Sequence, residues 1–257
     1  MLILLPPSEG KTAPRRGKPL DLGTLSRPGL NPARQRVLDH LVGLCSGDPV
    51  AAAQVLELGV TQTDLVEQNA ELASAPTARA DAVYTGVLFE ALDFATLSAS
   101  AKRLAARRVA ITSSLFGLLS PADRIPAYRL TGSVQLPGLG SVAGVWREAL
   151  AAELAAQPGL LVDLRSGTYA AFWRPPTDMA SRVARVRVLH EHNGQRKVVS
   201  HFNKATKGRL VRALLEDGAT PRNPTALAEA LRDLGWLVET GPIGPRDTQL
   251  DVVVREL

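Results

Sequence analysis

The chain has 257 residues, of which 45% are apolar, 21% charged and 4% aromatic, and its net charge is +5. This is the composition of an ordinary globular chain long enough to bury a substantial core. No apolar run approaches the roughly 18 residues of a spanning helix, and rings are too scarce for a stacking platform for single-stranded nucleic acid. The single cysteine, Cys45, lies in an apolar helical stretch and reads as a small buried hydrophobe in a reducing compartment. The opening apolar run at 1–5 is far too short for a signal peptide and is ended by Pro6-Pro7. The expected setting is the cytoplasm, with no membrane contact.

Charge is segregated along the chain. Residues 1–36 carry +5, 37–101 carry −8, 102–181 carry +4, 182–212 carry +8 and 213–257 carry −4. Basic segments that met in space would make a focused positive surface. Scattered over the molecule, they would make none.

The elements follow in chain order. Residues 1–5 read as a buried strand, and 6–29 as a loop rich in Pro, Gly and basic residues, too long to be idle in a compact domain. Asn31 caps a helix with Pro32 at its first position, running to Cys45. A second helix covers 49–58 and stops at Gly59. A third, capped by Thr61 or Thr63, reaches Ala73. Val83-Tyr84-Thr85 reads as strand, followed by a helix carrying Leu88, Phe89 and Leu92. A helix spans 96–108 and a strand 109–112, followed by an ordered loop rich in Pro and Gly over 117–144. Next come a helix over 145–156, a strand over 160–164 and a short helix from Ser166 to Phe172. The alternating stretches 182–189 and 196–201 flank Asn193-Gly194, a hairpin signal. Helices over 203–216 and 224–234 follow, the latter capped by Asn223 and stopped by Gly235. A last strand covers 251–255. Strands and helices interleave, but the hairpin breaks pure βαβ alternation. The expectation is α/β (mixed α+β), a single domain over 1–257 with a central mixed sheet flanked by helices.

Three strand-to-loop junctions concentrate polar chemistry. Ser8-Glu9-Gly10-Lys11-Thr12 follows the first strand. It is not a nucleotide phosphate loop, because Leu5 stands where that loop needs glycine and Ala13-Pro14 replaces the helix. Ser113 and Ser114 end the strand at 109–112, with Tyr128 and Arg129 in the loop beyond. No Gly-x-Ser-x-Gly elbow accompanies them. Asp163 opens the third junction, which continues to Tyr169. In a sheet with parallel strands these loops converge on one edge, where α/β proteins bind ligands. A fourth concentration starts the helix after His201, with Lys204, Lys207 and Arg209 beside free backbone N–H groups. A wheel places Lys204 and Lys207 on the side of Val211, Leu214 and Leu215, so both line a cleft or snorkel to solvent. His190 and His192 share a strand face, but no third ligand is evident at metal-site spacing, so neither metal nor cofactor is expected. Residues 56–65 carry a weak helix-hairpin-helix pattern in acidic surroundings.

Taken together, the opening Met1-Leu2-Ile3-Leu4-Leu5-Pro6-Pro7-Ser8-Glu9-Gly10-Lys11-Thr12, the Val83-Tyr84-Thr85-Gly86 segment, Ser113-Ser114-Leu115-Phe116-Gly117 through Pro126-Ala127-Tyr128-Arg129-Leu130, Asp163-Leu164-Arg165-Ser166 and the basic 201–209 segment resemble the YaaA family of bacterial peroxide-stress proteins. The resemblance covers nearly the whole chain. It implies a mixed α/β fold with a positively charged cleft, a helix-hairpin-helix element, double-stranded DNA as partner and a role in limiting free iron and oxidative damage. Many relatives carry Ser-Pro-Ala-Lys-Thr where this chain has Pro7-Ser8-Glu9-Gly10-Lys11-Thr12, and Glu-Tyr where it has Thr168-Tyr169.

Two functions follow as expectations. In the first, Lys11, Arg129, Lys204, Lys207 and Arg209 contact duplex phosphates. In the second, Ser8, Lys11, Tyr84, Ser113, Ser114, Arg129, Asp163, Tyr169, Lys204 and Lys207 line one pocket for a phosphate-bearing small molecule such as a nucleotide, with or without catalysis. The sequence specifies no oligomeric state.

Overall fold

The computed structural model describes residues 1–59, 61–192 and 195–255, with the backbone alone for Ser200 and His201. The strands of the main sheet are β1 (Leu2–Leu5), β3 (Val109–Ser113), β4 (Gly117–Leu119), β8 (Leu161–Asp163), β9 (Val183–His192), β10 (Gln195–Lys197), β11 (Leu237–Ile243) and β12 (Thr248–Val254). Two short ribbons, β2 (Ala78–Arg79) with β5 (Arg124–Ile125) and β6 (Gln135–Leu136) with β7 (Gly140–Ser141), lie apart from it. The long helices are α1 (Asn31–Cys45), α6 (Ala99–Arg108), α7 (Val142–Ala155), α9 (Ser200–Asp217) and α10 (Pro224–Asp233). Shorter ones are α2 (Pro49–Val55), α3 (Asp64–Ala70), α4 (Ala80–Val83), α5 (Val87–Leu92) and α8 (Gly167–Ala170).

The sheet order is β11-β12-β9-β8-β1-β3-β4, with β10 paired to the far end of β9. From β12 to β3 every neighbour is parallel. The two edge strands, β11 and β4, are antiparallel. The sheet is therefore mixed, as its sequence pattern implies. All four residues of β1 are fully buried, which is why this strand is an unbroken apolar run rather than an alternating one.

Several boundaries differ from the sequence expectation, each for a local reason. Leu30, not Asn31, precedes the first turn of α1. The Asn31 side-chain oxygen instead accepts from the Arg34 guanidinium at 2.8 Å. Arg34 is itself fully buried and donates to the carbonyls of Phe116 and Leu118, tying α1 to β4. Val83 ends the helical turn α4, and Tyr84 makes a single antiparallel bridge with Lys11 in place of a strand. The loop after β3 contains the edge strand β4, whose Gly117 has a positive φ of 74° over the Trp146 ring. Helix α9 begins at Ser200 and absorbs the end of the expected strand over 196–201. The turn Asn193-Gly194 lies outside the described residues. β11 adds a strand that the sequence pattern did not indicate.

The long 6–29 segment is held down at several points. Thr12 donates to the Val83 carbonyl, Thr77 to the Lys18 carbonyl, and the buried Asp123 accepts from the backbone and hydroxyl of Ser26. On the other side of the site, α9 lies directly on α5. A Cβ on Gly208 would fall 2.3 Å from the Leu88 carbonyl oxygen, so that helix approach requires glycine. Lys207, one residue before, is thereby carried into the interior.

Candidate functional site

Because β8, β1 and β3 are parallel neighbours, their carboxyl ends face the same edge. The Ser8–Lys11 loop, the Ser113–Ser114 turn and the Asp163–Tyr169 turn all leave the sheet there. Around the first of these lies a cleft of about 350 Å³, lined by Glu9, Lys11, Gln62, Gln68, Tyr128 and Arg129.

Lys11 is positioned by its backbone. Its bridge to Tyr84 is closed by Thr12 donating to Val83 and Thr85 donating to Gly10. The side chain then crosses the Tyr128 ring at 4.3 Å from the centroid and the Tyr84 ring at 5.5 Å. Its ammonium donates to the carbonyls of Ser8 and Glu9 at 3.0 and 3.3 Å. The Glu9 carboxylate is engaged elsewhere. One oxygen accepts from Arg129 at 2.9 Å and the other from the Tyr169 hydroxyl at 2.8 Å. Arg129 is fixed at its own backbone, where the buried Asn69 side chain bonds both its N–H and its carbonyl. Gly86, next to Tyr84, has a φ of 95°, and a Cβ there would sit 2.9 Å from the Ser8 hydroxyl.

Beneath the lysine runs a chain of hydroxyls. Tyr84 and Tyr128 share a hydrogen bond of 2.9 Å, Tyr128 and Ser113 one of 2.7 Å, and Ser113 accepts from the Phe116 N–H. Tyr84 and Tyr128 are almost wholly buried. Burial holds both phenols above their ordinary range and does the same to Tyr169, reinforced by Glu9. They are neutral donors, not phenolates. Burial acts oppositely on Lys11, lowering its amine to about 8, with Arg129 adding to the effect and Glu9 opposing it.

The third junction forms a separate polar cluster. Arg165 donates twice to Asp163, and also to the carbonyls of Tyr169 and Trp173. It thereby sets the short helix that carries Tyr169. Lys207 reaches in from α9 and donates to the Leu164 carbonyl at 2.9 Å. Burial lowers its pKa, against the attraction of Asp163.

The eleven sequence candidates thus divide. Lys11 and Arg129 face the cleft, Tyr84 and Ser113 support it from below, and Tyr169 enters through Glu9. Asp163 and Lys207 form the neighbouring cluster. Ser8 offers its carbonyl to Lys11. Ser114 serves packing, with its hydroxyl on the Leu130 carbonyl and its own carbonyl accepting from Trp146. Lys204 and Arg209 are exposed, so only Lys207 of the two wheel lysines points inward. Gln62, Gln68 and Asn69 went unselected in the sequence because nothing local distinguishes a cleft amide from a surface one.

The fold pairs part of the basic 182–212 segment with acids. Arg185 pairs with Asp247, Arg187 with Asp251, and Arg196 with Glu191 and Glu239. Arg182 and Arg212 donate to carbonyls at the ends of α7 and α5. Among the described residues, Lys197, Lys204 and Arg209 make no ion pair.

Fold and site together define a mixed α/β protein with a polar cleft at the carboxyl edge of its sheet. The chain belongs to the family described as peroxide stress protein YaaA, whose family model matches residues 1–240. Its role accordingly lies in peroxide stress. It is 52% identical to a UPF0246 protein of Streptomyces coelicolor, with 100% of both chains covered. UPF0246 proteins of Corynebacterium glutamicum and Corynebacterium efficiens are 39% and 40% identical, covering 94% and 93% of this chain and 96% and 95% of theirs. Among the described residues, no helix is long and apolar enough to cross a membrane and no three His, Cys, Asp or Glu side chains cluster to hold a metal.

Arg165 is the test of how the site is held. Arg165→Met leaves the Asp163 carboxylate with only the backbone N–H of residue 165 and removes the donor from two carbonyls. We expect a loss of about 3–5 kcal/mol in urea unfolding, and a loss below about 1 kcal/mol would contradict the role given to Arg165.

Proposed function

We propose that this peroxide-stress protein binds a small phosphate-bearing molecule in the Lys11–Arg129 cleft, in a cytoplasmic setting. One observation carries the reading: two cations from segments far apart in sequence share a cleft with the amides of Gln62 and Gln68, at the carboxyl edge of a parallel sheet. Its volume matches a small-molecule site. Neutral tyrosines, a carboxylate and a lysine of lowered pKa supply acid–base groups beyond what holding an anion requires, which favours an enzyme. Calorimetric titration with inorganic phosphate, pyrophosphate and nucleoside monophosphates tests the proposal. Lys11→Met or Arg129→Met should weaken the binding of the ligand that responds by about tenfold or more, which is about 1.4 kcal/mol. Lys197→Met should leave it unchanged. Absence of binding by all three classes would overturn the reading.

A second reading, double-stranded DNA, has its own support. Arg15, Arg16, Lys18, Lys204 and Arg209 are exposed and make no ion pair among the described residues. We assign phosphate contacts to these groups and not to the helix-hairpin-helix stretch at 56–65, because Asp64 and Glu67 occupy the first turn of α3 and repel phosphate. Val60 of that stretch lies outside the described residues. Limiting of free iron and oxidative damage would then be an indirect consequence of ligand or DNA binding. Duplex affinity should fall steeply with salt, and the double variant Lys204→Ala/Arg209→Ala should reduce the slope of log K against log salt by about 2. An affinity unchanged between low and moderate salt would eliminate this reading.

A further inference from the structure

The nearest carboxylate is withheld from Lys11, as Asp163 is from Lys207, but of the two lysines it is Lys11 that lines the cleft. Glu9 lies two residues away and lines the same cleft, yet both its oxygens are taken, by Arg129 and by Tyr169. The amine is left with two neutral carbonyls and two aromatic faces. Arg129, which lines the same cleft, is a cation. A lysine that merely packs against the surface gains from a carboxylate beside it. A lysine desolvated beside another cation is the arrangement that turns an amine into a nucleophile.

We propose that Lys11 is an amine nucleophile that forms an imine with an aldehyde or ketone group of the ligand bound in this cleft. The proposal rests on the small-ligand reading above and adds the substrate class, a phosphorylated carbonyl compound. The step balances without oxidant or reductant. The neutral nitrogen adds to the carbonyl carbon, forming the C–N bond while the carbonyl oxygen takes up a proton. The nitrogen then releases one proton, the new hydroxyl takes up a second, and the C–O bond breaks with water leaving as the nitrogen lone pair closes the C=N bond of a protonated imine. Both Glu9 oxygens stay engaged by Arg129 and Tyr169, so these protons exchange with solvent at the mouth of the cleft. Arg129 is left to hold the charged end of the ligand. The low pKa of about 8 supports the assignment. At pH 7 such an amine is neutral in about a tenth of molecules, whereas an ordinary lysine is neutral in well under a thousandth.

Pyridoxal 5′-phosphate serves as the probe, being a phosphorylated aldehyde whose imine absorbs visible light. The full chain is incubated with a stoichiometric amount at pH 7.5, reduced with borohydride and mapped by peptide mass spectrometry. Binding is followed in parallel by calorimetry. The six lysines of the chain compete in one sample, so no variant need fold for the test to be read. Label concentrated on Lys11 at least about tenfold over each of Lys18, Lys102, Lys197, Lys204 and Lys207, and suppressed by excess inorganic phosphate, is the expected result. Lys11→Met should abolish the absorbance, and Lys102→Met should retain it. Calorimetric binding with no imine on Lys11 overturns the nucleophile and leaves the phosphate site standing. Label spread evenly over the six lysines overturns it too, as does no binding at all, which removes the small-ligand reading with it.

Discussion

One carboxylate governs the sheet edge. Glu9 sits between Arg129 and Tyr169, and those partners come from loops more than a hundred residues away in sequence. This pairing joins the first and third strand-end junctions to the loop beyond β3. It also decides the chemistry of Lys11, since a carboxylate occupied at both oxygens is poorly placed to hold an adjacent ammonium. Burial is the largest influence on the amine and shifts it toward neutrality.

The supports of this arrangement are rigid in different ways. The parallel pairing of β8, β1 and β3 fixes where the three loops begin. The Tyr84–Tyr128–Ser113 hydroxyl chain satisfies every phenol under the lysine, so the aromatic floor carries no unpaired hydroxyl. Asn69 holds the Arg129 backbone from α3, and Arg165 fixes the helix that presents Tyr169. The buried Asp163–Arg165 pair adds little net stability by attraction alone, since desolvation of both groups opposes it. Its larger effect is positional, because the same guanidinium also takes two carbonyls of the following turn.

Much of the fold was legible because it depends on local pattern. The apolar runs of β1, β3 and β8 can be seen in the sequence, as can the Asn223 cap of α10, where the side chain accepts from Ala226. β11 was not legible, since Leu237–Ile243 is mostly exposed, contains Gly241-Pro242, and becomes a strand only by pairing with β12. Asn31 shows how a good capping residue is diverted when a buried arginine one turn on needs an acceptor. At the site, the strand-end residues could be selected because junctions of this kind recur along the chain. Glu9 was visible as a loop acid but not as the organising group, because its partners lie so far away in sequence. Charge blocks carry the same distance effect. Three of the nine cations of the +8 segment, Arg185, Arg187 and Arg196, pair with Asp247, Asp251 and Glu239 near the C-terminus.

The central claim is electrostatic: burial lowers the Lys11 amine, and Glu9, held by Arg129 and Tyr169, does not restore it to the ordinary lysine value. Its direct test is the titration of the Lys11 side-chain nitrogen by NMR on lysine-labelled protein, in the natural chain and in Arg129→Gln. That substitution removes a neighbouring cation and frees one carboxylate oxygen. The account predicts a midpoint near 8 in the natural chain, moving toward the ordinary lysine value of about 10.4 in the variant. A natural chain that already titrates at the ordinary value, or a variant whose midpoint does not move, would contradict it.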